Sequence, residues 1–507
     1  MKILCLGNEY FRSSLVRAGV EVVQAGAEPG ADLKIDPDQV DLPALIERVY
    51  PPPDVLLLTD DLGRRVLPWG LERCRLPKVY YAVDGPINLF WQRHLAGLFD
   101  LVAADQKDCA LTLSEQLGRE VIWLPVAVDP GPYQGPEEQK KNDFAFVGTL
   151  EPAVRPKRSN IIATLQSRFE VALAGERGSG WVGPEKTGRL YRQSRLVLNE
   201  NLFPGVTTRM METLAAGGCL FTEDSGNGLT DLFEPGEHLI TFGPDDLISQ
   251  AGFYLADRTA RRRIASKGRQ ELLARHTIFH RAQTLLAAIE SLRSASPRPA
   301  QDLTSLAWTG LLLGLRKPEH DGQRRLARSR LLFKEAVRRG PSEALARWGL
   351  ALALAALGRR EEAAGELSGA ARLADDEFRI HLARGMILTE AGRWEEGSQD
   401  LARAAAMAGG ADLVDEASNW PGLKVGQAAF HLAWGLILTR AGEGLWPGFN
   451  RSRLSMAFWG ALEHLARAVD LEPENLKALV TLAGLLDGHG QEAFSRPLWS
   501  RAADLDP

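Results

Sequence analysis

Leu196-Val197-Leu198-Asn199, then Thr207-Thr208-Arg209-Met210-Met211-Glu212-Thr213-Leu214-Ala215-Ala216-Gly217-Gly218, then Cys219-Leu220-Phe221-Thr222, decide how this chain folds. A short apolar run closes on Asn, the loop Phe203-Pro204-Gly205 follows, and a helical pattern opens on two threonines and an arginine. The second apolar run completes a βαβ unit with parallel strands. The helix start presents free backbone N–H groups and a partial positive charge, a setting suited to phosphate. Arg209 adds a cation there, and Glu212, one turn on, is placed to accept hydrogen bonds from sugar hydroxyls. The same residues also read as a capped helix with a surface ion pair, and only their context separates the two readings.

Working outward, apolar runs alternate with helical patterns through the first 245 residues, which predicts α/β architecture with parallel sheets covered on both faces. Strands are expected at Lys2–Leu6, Val20–Val23, Val55–Leu58, Lys78–Val83, Leu101–Ala104 and Val121–Leu124, with helices such as Leu42–Val49 and Gln106–Leu117 between them. Pro125, Asp129-Pro130-Gly131-Pro132 and the charged stretch Gly135 to Lys141 read as an interdomain crossing. The pattern restarts at Phe144–Val147, Val171–Ala174, Leu196–Leu198, Cys219–Thr222 and Leu239–Phe242, and helices from Asp245 to about Leu292 close it. Two doubly wound, Rossmann-like domains result, residues 1–130 and 131–295, with a ligand cleft between the carboxyl ends of their sheets.

Further landmarks stand in order around the opening stretch: Phe144-Ala145-Phe146-Val147-Gly148-Thr149, Tyr191-Arg192-Gln193-Ser194-Arg195, Phe233-Glu234-Pro235-Gly236-Glu237 and Arg275-His276-Thr277. Over about residues 143–285 the chain resembles the donor-binding segment of GT-B glycosyltransferases, specifically the CgeB/YkvP-like group. There a helix reading R-x-x-E-x-x-A-x-G follows a strand ending in Asn. The wider retaining superfamily often carries two glutamates separated by seven residues; here the position eight before Glu212 is Pro204, so the first is absent. The resemblance implies a nucleotide-sugar donor, UDP- or GDP-linked, held without a cofactor by Gly148, Thr149, Arg155, Lys157, Asn199, Thr207, Thr208, Arg209 and Glu212. In this fold the loop after the Phe144 strand lies over the donor diphosphate. Glycine permits close backbone approach there, and cations stabilise the departing charge. Arg155, Lys157 and Arg158 are not ranked by sequence, and each also reads as solvated. Arg209, as a cleft residue, is expected to support donor binding and little of the core.

On the acceptor side, Tyr81-Ala82-Val83-Asp84-Gly85-Pro86 puts Asp84 at the carboxyl end of a strand. There it either orients or deprotonates an acceptor hydroxyl, or simply forms the turn before Gly-Pro. Asp84 and Arg209 are thus the candidate catalytic residues. Gly7-Asn8, after the first strand, is expected to line the cleft, but without GxGxxG it supports no dinucleotide chemistry. His94 reads as a surface or core histidine. Asp36-Pro37-Asp38 spells DxD without the strand context of a metal site and reads as a helix cap. No metal ligand set is expected, and G-x-S-x-G hydrolase logic is missing.

From about residue 301 helices dominate. Gly358 and Gly392 lie 34 residues apart, the tetratricopeptide period. Ala351, Leu354, Ala363, Leu367 and Ala370 correspond to Gly385, Leu388, Gly397, Leu401 and Ala404, and Ala483, Leu486 and Gly490 repeat the pattern. Pro473 and Pro507 keep the same period, and Gly442 to Phe458 reads as an interrupting loop. Residues 301–507 are therefore expected to form a repeat solenoid. Its groove would be lined by Leu345, Trp348, Leu352 and Ala355, then Arg379, Leu382, Met386 and Thr389, and would take a peptide-like partner. These same side chains also read as packing against the enzyme body or a second subunit.

The net charge of −5 argues against a general nucleic-acid binder. The four cysteines, Cys5, Cys74, Cys109 and Cys219, show no metal spacing and read as reduced core thiols. The chain enters its first strand at Lys2 without a leader-like region, and no apolar run nears the ~20 residues of a membrane span. The expectation is a cytoplasmic enzyme moving a sugar to a protein or glycan acceptor, metal-independent and retaining, with repeats recruiting the acceptor or a partner. The alternatives are a non-catalytic scaffold with a degenerate GT-B body, and a nucleotide-sugar epimerase on the same fold.

Overall fold

A computed structural model of the protein describes residues 1–60, 66–150, 152, 155–175, 182–292, 299–316, 320–390, 465–470, 472–488 and 492–505, with isolated residues between 393 and 462. The chain divides into two compact units, Met1–Ser296 and Pro297–Pro507.

In the first unit, strands β1 (Lys2–Gly7), β2 (Glu21–Gly26), β3 (Leu33–Lys34), β4 (Val55–Thr59), β5 (Lys78–Ala82), β6 (Leu101–Ala104) and β7 (Ile122–Trp123) form a parallel sheet ordered β3-β2-β1-β4-β5-β6-β7. All five residues of β4 are buried, as expected for a strand covered on both faces. Helices α1 (Arg12–Arg17), α2 (Leu42–Glu47), α3 (Gly85–Ala96) and α4 (Lys107–Leu117) connect the strands. The expected strands are all present, and β3 is the addition that no apolar run announces. The cap of α2 is Asp41, which accepts from Ala44 N at 3.3 Å; Asp36 instead closes a turn, accepting from Asp38 N at 3.1 Å and Gln39 Nε2 at 2.8 Å. Asp36 thus closes a turn ahead of the helix rather than capping it.

The linker leads to β8 (Asn142–Val147), α5 (Pro156–Gln166), β9 (Val171–Ala174), α6 (Pro184–Arg192), β10 (Ser194–Asn199), α7 (Thr208–Ala216), β11 (Leu220–Glu223), α8 (Leu229–Leu232) and β12 (Ile240–Phe242). These strands form a second parallel sheet ordered β12-β11-β10-β8-β9. Helices α9 (Leu247–Ala256), α10 (Arg258–Arg275) and α11 (Ile278–Glu290) follow. Ile278, Ala282, Leu285 and Ile289 line one face of α11 at helical spacing and join Ile3, Cys5, Leu57 and Tyr81 in the core of the first sheet. The chain thus returns to its first half, which a pattern read only along the second does not anticipate. Arg281 Nε donates to Pro125 O at 3.0 Å and Ile278 N to Val128 O at 3.1 Å, tying this return to the linker. All four cysteines are free and buried, and burial pushes the thiols of Cys5 and Cys219 up to about 12.

Where α10 crosses the second half, Gly268 gives way to backbone: a Cβ there would lie 2.2 Å from His238 O and 2.8 Å from Leu214 Cδ2. Overpacking of that kind costs about 1–3 kcal/mol, and more against a carbonyl that cannot turn aside. Gly268→Ala is expected to lower the midpoint of chemical denaturation accordingly. An unchanged midpoint would mean that α10 can shift freely.

The second unit holds α12 (Pro299–Arg316), α13 (His320–Arg339), α14 (Ala344–Ala356), α15 (Arg360–Leu373) and α16 (Phe378–Glu390), then helices Leu476–Gly488 and Glu492–Leu505. Gly358, at φ +79°, turns the chain between α14 and α15. Trp348 packs edge-on to Trp308, ring centroids 4.8 Å apart, and Leu352 and Ala355 are buried beside it. These expected groove residues are core instead, because α12 and α13 cover that face; Leu345 is exposed and Arg379 half-buried. Gly392, Gly397, Leu401, Gly490, Pro507, the 442–458 segment and the side chains of Leu382, Met386 and Thr389 lie outside the described residues.

Candidate active site

The carboxyl ends of the two sheets enclose a cavity of about 320 Å³, lined from the first half by Asp84, Asp105 and Gln106 and from the second by Arg155, Arg158, Glu200 and the run Leu202–Arg209. Its second-half wall is built on Asn199, the fully buried last residue of β10. Asn199 Nδ2 donates to Asn201 Oδ1 at 2.8 Å and Thr222 Oγ1 at 3.0 Å. Its Oδ1 accepts from Thr207 Oγ1 and Arg209 Nη1, both at 3.0 Å. Two donors and two lone pairs are all the group has, so Asn199 holds the start of α7 in place and has no hydrogen-bonding position left for a ligand.

Thr207, committed to Asn199, makes no side-chain cap for α7. The first N–H groups of that helix therefore face the cavity with their partial positive charge. Arg209 is more deeply engaged than a surface cleft residue. Its Nε donates to Val147 O at 2.9 Å, and its guanidinium lies 4.4 Å from the Phe146 ring centroid. Burial pulls its pKa below the usual arginine range. Gly148, at φ +152°, makes room for it: a Cβ there would sit 2.7 Å from Arg209 Nη2. The glycine after β8 thus admits the arginine.

The three cations after β8 part company. Arg158 is buried, with Nε donating to Glu200 Oε2 at 2.7 Å and Nη1 to Thr149 O at 3.0 Å. Lys157 Nζ donates to Asn201 O at 2.7 Å and Glu223 Oε2 at 3.1 Å. Arg155 keeps a buried Nη1 with no hydrogen-bond partner among the described residues, and it lines the cavity. It is the cation left open to an anion there. Glu212 points elsewhere: it accepts from the linker's Tyr133 hydroxyl at 2.9 Å, burial raises its pKa, and it does not line the cavity.

Across the cleft, Asp84 adopts a left-handed backbone, φ +54°, at the start of α3. That conformation is sparse for a residue with a side chain and needs surrounding structure to hold it. Its N–H donates to Asp105 Oδ2 at 3.0 Å. Asp105 directly follows β6, is 1% exposed, and leaves Oδ1 buried without a partner among the described residues. Burial, reinforced by the Asp84 charge, pushes its pKa up to about 7. Sequence reading missed Asp105 and Glu200; the rule that found Asp84, a carboxylate at the end of an apolar strand, applies equally to Leu101-Val102-Ala103-Ala104-Asp105. Gly7 and Asn8 do not line the cavity; a Cβ at Gly7 would lie 2.3 Å from Thr59 O of the neighbouring strand. His94 is half-buried on α3, and burial lowers its pKa to about 3. Among the described residues no group of three or more His, Cys, Asp or Glu gathers as a metal site.

The two halves touch at the cleft mouth. Gln106 Nε2 donates to Val206 O at 3.1 Å, Asp108 N to Asn227 Oδ1 at 3.0 Å, and Lys107 pairs with Asp231 at 2.7 Å. Residues 155–287, which run from the open cation Arg155 through Asn199 and Arg209 into α11, match a family model described as glycosyl transferase-like. This stretch carries a glycosyl transferase-like domain. Among solved structures the chain is similar to Anabaena Alr3699/HepE in complex with UDP-glucose, at 15% identity and TM-score 0.43 over 58% of this chain and 100% of that one. It is similar to sucrose-phosphate synthase from Thermosynechococcus elongatus, at 13% and TM-score 0.42 over 57% and 98%. A likeness to MamA, at 13% and TM-score 0.19, covers 36% of this chain and 89% of that one. Likenesses this distant bear on no residue of the site. No curated protein matches the chain.

Proposed function

We propose that the protein is a nucleotide-sugar-dependent glycosyltransferase of the CgeB/YkvP-like kind, moving a sugar from a UDP- or GDP-linked donor to a protein or glycan acceptor. One observation carries the reading. The uncapped start of α7, Arg209 and the open Arg155 converge on one wall of a cavity whose other wall holds Asp84 and Asp105. The match of residues 155–287 supports it. The diphosphate lies against α7 and the two arginines, and the sugar extends toward the carboxylates. The acceptor oxygen bonds to the anomeric carbon as the bond from that carbon to the diphosphate breaks. The diphosphate leaves with the electron pair, its charge balanced by Arg155, Arg209 and the helix start. The hydroxyl proton passes to the Asp84–Asp105 pair. Retention at the anomeric carbon is the outcome the family resemblance implies, and NMR of the product reads it.

The chain's own cations can balance the diphosphate, so transfer is expected to survive EDTA. Mixing the protein with UDP-, GDP-, dTDP- and CMP-sugars and following thermal shift and donor turnover tests the reading. Activity lost to EDTA and restored by manganese would revive a metal route. The helical unit is proposed to be a tetratricopeptide-type solenoid that recruits the acceptor or a protein partner in the cytoplasm; no described helix is long and apolar enough to cross a membrane. In the same assay, a chain ending at Arg293 is expected to bind nucleotide yet lose transfer to a macromolecular acceptor. Full-rate transfer would remove the recruiting role. Pro204, in place of a superfamily glutamate, favours one second reading, a scaffold without turnover. Absence of turnover with every donor alongside intact partner binding would establish it.

A further inference from the structure

The opposite, amino-terminal edge of the second sheet carries a larger cavity, about 1450 Å³, which shares no lining residue with the cleft. It opens between the linker, the carboxyl ends of α6 and α7, and α10. Its lining includes Lys140 and six arginines (Arg192, Arg195, Arg258, Arg261, Arg262 and Arg269) against two carboxylates, Glu137 and Glu138, an excess of five positive charges.

Part of that charge is engaged by the fold. Lys140 Nζ donates to Arg192 O at 2.8 Å and Ser194 O at 2.9 Å, and Arg261 Nη1 to Leu255 O at 2.6 Å. Arg195 pairs with Asp143, Arg262 with Glu137 at 3.0 Å, and Glu138 is taken by Arg189 at 3.2 Å. Arg192 Nη1 donates to Tyr133 O, and the remaining donors are less fully met. The Nε atoms of Arg192 and Arg269 are buried without a hydrogen-bond partner, and Arg258 and Arg269 have no ion-pair partner among the described residues. Buried donors are rarely left so. Burial, with Arg269 close by, also pulls the Arg192 pKa below its usual range. A single arginine at a helix carboxyl end is favourable with its dipole, which accounts for Arg192. It does not account for guanidiniums from α6 and α10 facing one space with buried Nε donors unmet.

We propose that this cavity binds a compound bearing two or more phosphate groups, at a site separate from the cleft. Guanidinium forks take phosphate oxygens in pairs. Each phosphate group carries about −1.5 to −2 charge near neutral pH, so two or three of them match the excess compactly, whereas carboxylates bring one charge each. Helix α7 touches both sites, its first turn at the cleft and Ala216–Gly217 at this cavity, about 14 Å apart along the helix.

Calorimetric titration of tripolyphosphate into the full-length chain tests the assignment. Binding is expected that Arg258→Glu combined with Arg269→Ala weakens at least about tenfold, the scale of one lost charged hydrogen bond. Arg209→Ala, in the cleft, should leave it within about twofold. Arg258 is exposed, so Arg258→Glu alone keeps the fold intact and should still weaken binding about threefold, by placing a negative charge at the mouth. Citrate should bind far more weakly. The proposal is overturned if the Arg258/Arg269 variants bind as the natural chain does, if Arg209→Ala abolishes binding, or if citrate binds as tightly.

Discussion

Asp105→Asn should leave the protein more stable above neutral pH while slowing sugar transfer by roughly 100-fold or more, the usual contribution of a positioned acid or base. The carboxyl is buried at the end of β6, and its pKa rises from 3.8 to about 7. The folded state therefore holds its proton more tightly than the unfolded chain does. The stabilising contribution of that proton is complete below about pH 4 and is lost as pH climbs to about 7. A shift of about three units corresponds to roughly 4 kcal/mol, an upper figure for a group this coupled to Asp84. Asn keeps the shape and can still accept from Asp84 N without carrying charge. Melting curves of the two proteins should converge near pH 4 and separate by about 2–4 kcal/mol at pH 8, with the variant higher. The natural protein's turnover should rise through about pH 7, and the variant's should not. A variant no more stable at pH 8 and equally fast would show Asp105 to be an ordinary buried turn residue.

Strand-length apolar runs such as Val55–Leu58 and Leu196–Leu198 announce their elements because two-sided burial demands continuous hydrophobicity, and the sheets follow from them. The start of α7 was legible for a similar local reason: Thr207, Thr208 and Arg209 are contiguous. What stayed hidden depends on contacts between distant segments. Arg155, Lys157 and Arg158 are equivalent in a string, and only Glu200 and Glu223, brought up by other strands, engage two of them and leave one open. Glu212 reads in a string as a sugar ligand, and its contact with Tyr133 of the linker comes from 79 residues away. Trp348 and Leu352 stand at positions expected to line a groove, but α12 and α13, whose own sequences show no such spacing, cover them. The crossing of α11 to the first sheet is likewise invisible to periodicity, because an amphipathic helix does not name the sheet it will cover.

Arg209→Ala should weaken nucleoside-diphosphate binding by roughly 1.5–3 kcal/mol, the scale of a charged hydrogen bond, and should also lower the melting temperature by several degrees. The second effect follows from the geometry. Removing the guanidinium strips Val147 O and Asn199 Oδ1 of a donor and uncovers the Phe146 ring, in a region where Asn199 has no spare partner. An acceptor left unsatisfied in the interior costs about 1–3 kcal/mol. Thr207→Val provides the control that separates the two roles. It removes the hydroxyl that donates to Asn199 at 3.0 Å and so loosens the same hub, but it leaves the cation in place. Calorimetry with UDP and GDP, run beside thermal melts, should show both variants melting early and only Arg209→Ala losing most of its nucleotide affinity. If Arg209→Ala binds nucleotide as the natural chain does, the cleft between the sheets is not a donor site. If Thr207→Val loses as much affinity as Arg209→Ala, the arginine acts only by holding α7 in place, and Arg155 with the helix start would have to carry the diphosphate.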